Sequence, residues 1–496
     1  MVQEEGILKK TVRSSRWVIL SNITGKFIGI GSFLILARLL SPEAYGLIAI
    51  ILMMVGVFNQ MVVSGFETAI IQRKENPERY LNAVWTFNVI KGLIFFAVLY
   101  FAAPLVASFF HAEHVIGYIR WSGIFVVIPS LTNTRESFLF RDFKFHKIYL
   151  RDLSSQLSYV VVGVLYAILI KPDVGALFFA NIAKYLAQVI AVYCFFPSIP
   201  KFTLNIEVLK ELFPYSKWIT AQNFANYLLS VVDNLFVGRL LSPEILGYYS
   251  RARNLSGEAL SIIGSVSKRL SFVAFSKVQE ESEKIRQGFM MISDLIFFLG
   301  FSNIFIIWLG GERIVEVFLG AKWLGIVPAL KIFTFFALAQ AIINVAYSLF
   351  DGAGKPSINF KTKVMGLFLY GSLAYFGIKY KSMVGAAMGI TLSNFIILIY
   401  VLYKLKKVYS LKIMDMVSRF MLVFVPFVLA AVIFSPLFFQ LKFFSSVMVL
   451  TIIFGYYLVF LLIFYMVGKR YQHGCLTTIS YMVATLKFKK VEKVQQ

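Results

Sequence analysis

Ionisable side chains set inside long apolar runs are the residues best able to do chemistry in this chain. A charge at mid-membrane depth costs about 2.5–3.5 kcal/mol on insertion scales, so it is kept where it faces a cavity or a partner. In the first apolar run, Asn22, Lys26 and Gly29 are spaced i, i+4, i+7 and share a helix face. That run holds no acid to neutralise Lys26. In the seventh, Asn223, Asn226, Ser230 and Asp233 form a similar stripe, and in the eighth Arg251, Asn254, Glu258, Ser261 and Ser265 form another. Arg253 lies about 200° from Arg251 on an ideal helix and cannot share that face. Arg presents a planar fork to phosphate and Lys a point charge, so Lys26 and Arg251 suit an anionic group. The other reading is local pairing of Arg251 or Arg253 with Glu258 or Asp233, holding helices together. Both readings stand open at this level.

Weaker candidates surround these. Lys91 and Lys184 fall a third to a half of the way into their runs, and Arg120 and Lys331 are placed to snorkel to an interface. Asp294 suits a cation or proton site, or a basic partner, and Arg419 reads as a topology charge. His111, His114, His146 and His473 are not spaced as metal ligands, and His111 and His114 share one short loop expected to be solvated. Cys194 and Cys475 indicate neither a disulfide framework nor a metal cluster. No Walker A motif occurs, and Gly352 and Gly354 in DGAGKP fit a turn rather than a phosphate loop. No cofactor and no metal are expected.

The elements that must position these residues are membrane spans. Of 496 residues, 59% are hydrophobic and only 15% charged. A soluble domain carries about 25% charged residues. A soluble enzyme, a disordered chain and a collagen-like fibre are excluded. Runs of about 20 apolar residues, the length that crosses a bilayer core, recur almost throughout. They lie near 17–40, 45–64, 81–110, 115–133, 153–170, 176–196, 216–241, 244–270, 289–310, 326–350, 361–378, 384–403, 416–437 and 446–468. The expectation is an all-α polytopic membrane protein with about fourteen transmembrane helices. The runs are too long and continuous for barrel strands. The first run is too long for a cleavable signal peptide.

The net charge of +24 would suggest nucleic acid in a soluble protein. Its placement gives another meaning. With the N-terminus inside and fourteen alternating spans, 33 of the 49 basic residues fall on inner segments and 8 on outer ones. Both termini are therefore expected to be cytoplasmic. The basic loop at 135–151 needs no nucleic acid; topology and anionic lipid account for it.

Residues 38–46 read RLLSPEAYG and residues 239–247 read RLLSPEILG. The offset of 201 continues upstream, where Trp17 matches Trp218, Asn22 matches Asn223 and Arg16 matches Lys217. A Ser cap followed by Pro is also an ordinary helix start. The offset spans six helices, an even number, so the copies are parallel. The division expected is an N-terminal lobe 1–200, a C-terminal lobe 201–410, two further helices 411–470 and a basic tail 471–496.

These segments resemble a known family. ARLLSPEAYGLIAI (37–50) and DNLFVGRLLSPEILGYYSRARNL (233–255) are similar to the first- and second-lobe hairpins of the polysaccharide-transporter branch of the MATE/MOP flippase superfamily. That branch includes the Wzx-type O-antigen and colanic-acid exporters. GFETAIIQRKE (65–75), LGAKW (319–323) and DGAGKP (351–356) resemble its loops. One departure is Phe272-Val273, where the family often has Phe-Pro. The resemblance implies a MATE-like pair of six-helix bundles working by alternating access. It implies a flippase, not an enzyme, for undecaprenyl-pyrophosphate-linked oligosaccharide units in the bacterial inner membrane. Its expected partners are that lipid-linked substrate, membrane lipids, and polysaccharide polymerase and assembly proteins. Lys26 and Arg251, with Asn22, Asn223 and Asn254, would then face the pyrophosphate. Asp233, Glu258 and Asp294 would serve in coupling or ion pairs. The competing reading is a cation-coupled multidrug exporter of the same superfamily, which would need an acidic cavity. A membrane-embedded glycosyltransferase would need a larger loop than the roughly 20 residues available between spans.

Overall fold

The computed structural model describes residues 2–62, 66, 70, 78–258, 260, 282–439 and 455. The expected fourteenth span near 446–468 (apart from Gly455), the tail 471–496, most of the loop 65–75, Ser261, Ser265 and Phe272-Val273 lie outside them.

Long apolar stretches with few breakers become helices, because only a helix satisfies its own backbone in hydrocarbon without closing a sheet. No strand occurs among the described residues. The helices are α1 Val2–Leu39, α2 Pro42–Val62, α3 Glu78–Phe109, short α4 Ile116–Trp121, α5 Ile124–Ser130 and α6 Ser137–Arg141. They continue as α7 Phe145–Leu169, α8 Val174–Phe195, α9 Ile206–Leu240, α10 243–258, α11 Ser282–Phe318, α12 Val327–Gly352, α13 Pro356–Tyr409 and α14 Ile413–Phe439. Among the described residues eight helices are long and apolar enough to cross a membrane. The number is nine if the pair Glu113–Ser130 and Thr134–Arg141, bent by 59°, is one span. Of the fourteen expected spans, the last lies outside the described residues but for Gly455, the eighth is described only over 244–258 and at 260, and the others fall on described helix but for a few residues. The 54 residues of α13 hold two of them: the chain breaks at Lys381 and Ser382 (φ 51°) and folds back. The fold is all-helical and multi-pass.

The repeated Ser-Pro-Glu does in both copies what its chemistry dictates. A Ser hydroxyl ahead of the first turn accepts from a backbone amide that the helix itself leaves open. Ser41 Oγ accepts from the Ala44 amide at 3.2 Å and starts α2; Ser242 Oγ accepts from the Ile245 amide at 3.3 Å and starts α10. The two helix starts touch through Gly46 and Gly247, which are repeat equivalents.

Two compact units are formed: Met1–Arg251 with Tyr370–Ala386, and Ala252–Leu369 with Ala387–Gln496. In the first, α7 turns tightly into α8 through Asp173, whose carboxylate accepts from the Gly175 amide at 2.8 Å, and α1 packs along α7. In the second, α11 packs on α12 and α14. Phe297, Phe301 and Phe305 on α11 meet Phe420, Phe424 and Phe427 on α14, with ring centroids 5.2–5.7 Å apart. Phenylalanines such as Phe27, Phe101 and Phe368 point outward, as they do where lipid rather than water is the solvent.

Candidate functional site

Three helix faces of the first unit converge on a polar cavity of about 370 Å³. α1 contributes Gly25, Ile28, Gly29 and Ser32, an i, i+3, i+4, i+7 face. α7 contributes Asp152, Ser155, Gln156 and Tyr159 with the same spacing, and α8 adds Lys184 and Gln188 one turn apart. The Asp152 charge is partly satisfied: its Oδ1 accepts from Arg151 Nε at 2.9 Å and Nη2 at 2.6 Å. Arg151 also pairs with Glu136. Lys184 is half-buried and makes no ion pair among the described residues.

Beside this cavity stands Arg251. Its guanidinium lies 4.5 Å from the Tyr45 ring centroid and 5.3 Å from that of Phe33. The two rings pack edge-to-face on each other, centroids 5.4 Å apart, and hold the fork against them by cation–π attraction. The Arg251 Nε is buried without a hydrogen bond, and the side chain has no carboxylate partner among the described residues. Neither Glu258 nor Asp233 pairs with it. Asp233 is fully buried and accepts from Tyr249 Oη at 2.9 Å.

The other expected residues are distributed as follows. Lys26 is half-buried on α1, on a side that does not line the cavity, although Gly29 of its stripe does; Asn22 is exposed. Asn223 is half-buried on α9. Asn254 is exposed and Glu258 half-buried in the second unit. There Arg253 lies 5.2 Å from the Phe336 ring, and the buried Asp294 accepts from Arg419 at 2.6 Å. Arg419 is thus an ion-pair partner and not simply a topology charge. Lys91 donates to the Met61 carbonyl and covers the Phe87 ring, and Lys331 meets Glu312 at 3.4 Å. His111, expected in a solvated loop, lies 2.7 Å from Arg239. Sequence reasoning missed Asp152, Gln156 and Gln188 as wall residues. The available signal was the i, i+4 recurrence of polar types on two helices.

Residues 35–328 match the family model described as polysaccharide biosynthesis protein. The chain is 25% identical over 426 residues to an uncharacterized membrane protein in the cps region of Klebsiella pneumoniae, covering 84% of this chain and 86% of that protein. It is 22% identical to the lipopolysaccharide biosynthesis protein WzxC of Escherichia coli K12, covering 78% and 79% respectively. In fold it is similar to the lipid II flippase MurJ in an inward closed conformation, with a TM-score of 0.67 at 14% identity, over 93% of this chain and 98% of that one.

Proposed function

Because the chain belongs to the polysaccharide biosynthesis protein family, we propose that it is a lipid-linked glycan flippase. It moves an undecaprenyl-pyrophosphate-linked oligosaccharide unit across the cytoplasmic membrane by alternating access, for cell-surface polysaccharide assembly. The protein is a transporter, not an enzyme. The observation that carries the reading is Arg251, whose guanidinium lies against the Tyr45 and Phe33 rings with a buried Nε and no carboxylate partner among the described residues. Uncompensated charge in a membrane protein is retained for a ligand of opposite sign. Lys26, Asn22 and Asn223, on the same unit, are assigned to the same pyrophosphate.

The repeat-related lobes 1–200 and 201–410 supply the alternation, and the helices at 411–470 and the tail 471–496 complete the chain. The skewed distribution of Lys and Arg supports cytoplasmic termini in an inner membrane. Polymerase and assembly proteins take up the product. A drug-exporter reading would need an acidic cavity, whereas the wall described above carries one acid, Asp152, which accepts from Arg151 and stands with Lys184 in the same lining. Asp233 is bonded to Tyr249, and Asp294 to Arg419. Deleting the gene in its host tests the proposal. Surface polymer should vanish and lipid-linked units accumulate on the cytoplasmic leaflet; polymer at normal levels refutes it.

A further inference from the structure

We infer that the cavity between α1, α7 and α8 is a monosaccharide subsite that takes the sugar ring next to the pyrophosphate. This rests on the glycan-flippase reading and adds where the first sugar sits.

The lining is of mixed sign. Asp152 offers acceptors, Lys184 donors, and Gln156 and Gln188 both. A carboxylate in the wall repels phosphate, whereas vicinal hydroxyls need donors and acceptors side by side. The pyrophosphate therefore belongs at Arg251 and the neutral ring in the cavity. The space measures about 370 Å³. Ligand pockets run from roughly 300 Å³ upward to about three times that volume. A cavity near the lower end suits one ring rather than a repeat unit.

Gln156 is the reading group. Its Oε1 is buried without a partner, and its amide makes no hydrogen bond among the described residues. A buried polar atom left open in a native fold calls for a water or a ligand. Because the amide is open at both ends, exchanging its oxygen and nitrogen does not alter this. The two wall serines, in contrast, donate to backbone: Ser32 to the Gly29 carbonyl and Ser155 to the Asp152 carbonyl, each at 2.8 Å. Gly25 makes room for the amide, since a Cβ there would stand 3.0 Å from Gln156 Nε2. The two subsites adjoin along α1: Ser32 lines the cavity, and the next residue, Phe33, lies against the Arg251 guanidinium at 5.3 Å. A ring in the cavity thus directs its anomeric phosphate toward that guanidinium.

The test is binding to the full-length protein in nanodiscs. Glucose 1-phosphate, galactose 1-phosphate and N-acetylglucosamine 1-phosphate are titrated beside inorganic phosphate. At least one sugar phosphate should bind tenfold or more tightly than phosphate. Gln156→Leu should lower that preference about tenfold, the worth of roughly one lost hydrogen bond, while leaving phosphate affinity unchanged. Gly25→Ala should act in the same direction by displacing the amide. Sugar phosphates that bind no better than phosphate, or a preference untouched by Gln156→Leu, would overturn the subsite. Arg251→Gln separates the underlying reading. If it leaves phosphate binding intact while the Gln156-dependent preference persists, the pyrophosphate assignment fails and the sugar subsite stands.

Discussion

Adding one methyl group at Gly46 should force apart the two helix starts that the repeat brings together. A Cβ on Gly46 would stand 2.6 Å from the carbonyl carbon of Pro243 and 3.0 Å from the Gly247 amide nitrogen. The reciprocal Cβ on Gly247 would stand 2.9 Å from the Pro42 carbonyl carbon and 3.1 Å from the Gly46 nitrogen. Ordinary contact begins at 3.4 Å, and every one of these neighbours is backbone, which cannot rotate out of the way. The Pro243 and Pro42 carbonyl oxygens are nearer still, so α2 and α10 must part by more than about 1 Å, a packing defect that closely packed interiors do not absorb. Overpacking of this kind costs about 1–3 kcal/mol. For a unit of this size that is about 2–6 °C of melting temperature. Because both methyls push on the same seam, Gly46→Ala with Gly247→Ala should cost little more than the worse single variant. Thermal unfolding of the full chain in nanodiscs, for the two singles and the double, completes the cycle. Singles that melt with the parent protein, or a double that loses the sum of the two, would refute the shared seam.

Two further outcomes follow from pairings in the fold. Arg419→Gln strands the fully buried Asp294 carboxylate. Breaking a buried pair costs about 3–5 kcal/mol, and the partial exposure of Arg419 puts this case toward the lower end. Melting should fall accordingly, and the swapped pair Asp294→Arg with Arg419→Asp should recover much of it. Tyr249→Phe removes the hydroxyl that donates to Asp233. A hydrogen bond to a carboxylate is worth about 1.5–3 kcal/mol, so a melting temperature equal to the parent's would show that the bond is not made.

Helix placement was legible because each span is a self-sufficient unit: its length is set by the bilayer and its backbone bonds are local. Even the hairpin inside α13 follows from two separate apolar runs, around a break at Lys381 and Ser382. The Ser-Pro-Glu repeat was legible for a local reason too, since Ser41 and Ser242 each cap the helix that follows them. What escaped is what several helices make together. Asp152 sat just before an apolar run and read as its edge, yet α7 carries it into the cavity wall with Gln156. Lys26 and Gly29 share a broad face by spacing, but the three-helix arrangement places only Gly29 on that wall. The pairing of Asp294 with Arg419 joins residues 125 positions apart, and no periodicity within either helix encodes it.

The central claim is tested most directly by reconstitution. The purified chain is placed in proteoliposomes with an undecaprenyl-pyrophosphate-linked oligosaccharide, and glycan reaching the opposite leaflet is read by a membrane-impermeant glycosidase. The account predicts transfer by the parent protein and a loss of at least about tenfold in Arg251→Gln and in Lys26→Gln, the scale of one charge-assisted contact to phosphate. Transfer at the parent rate in both variants, with the chain folded and inserted, would contradict it.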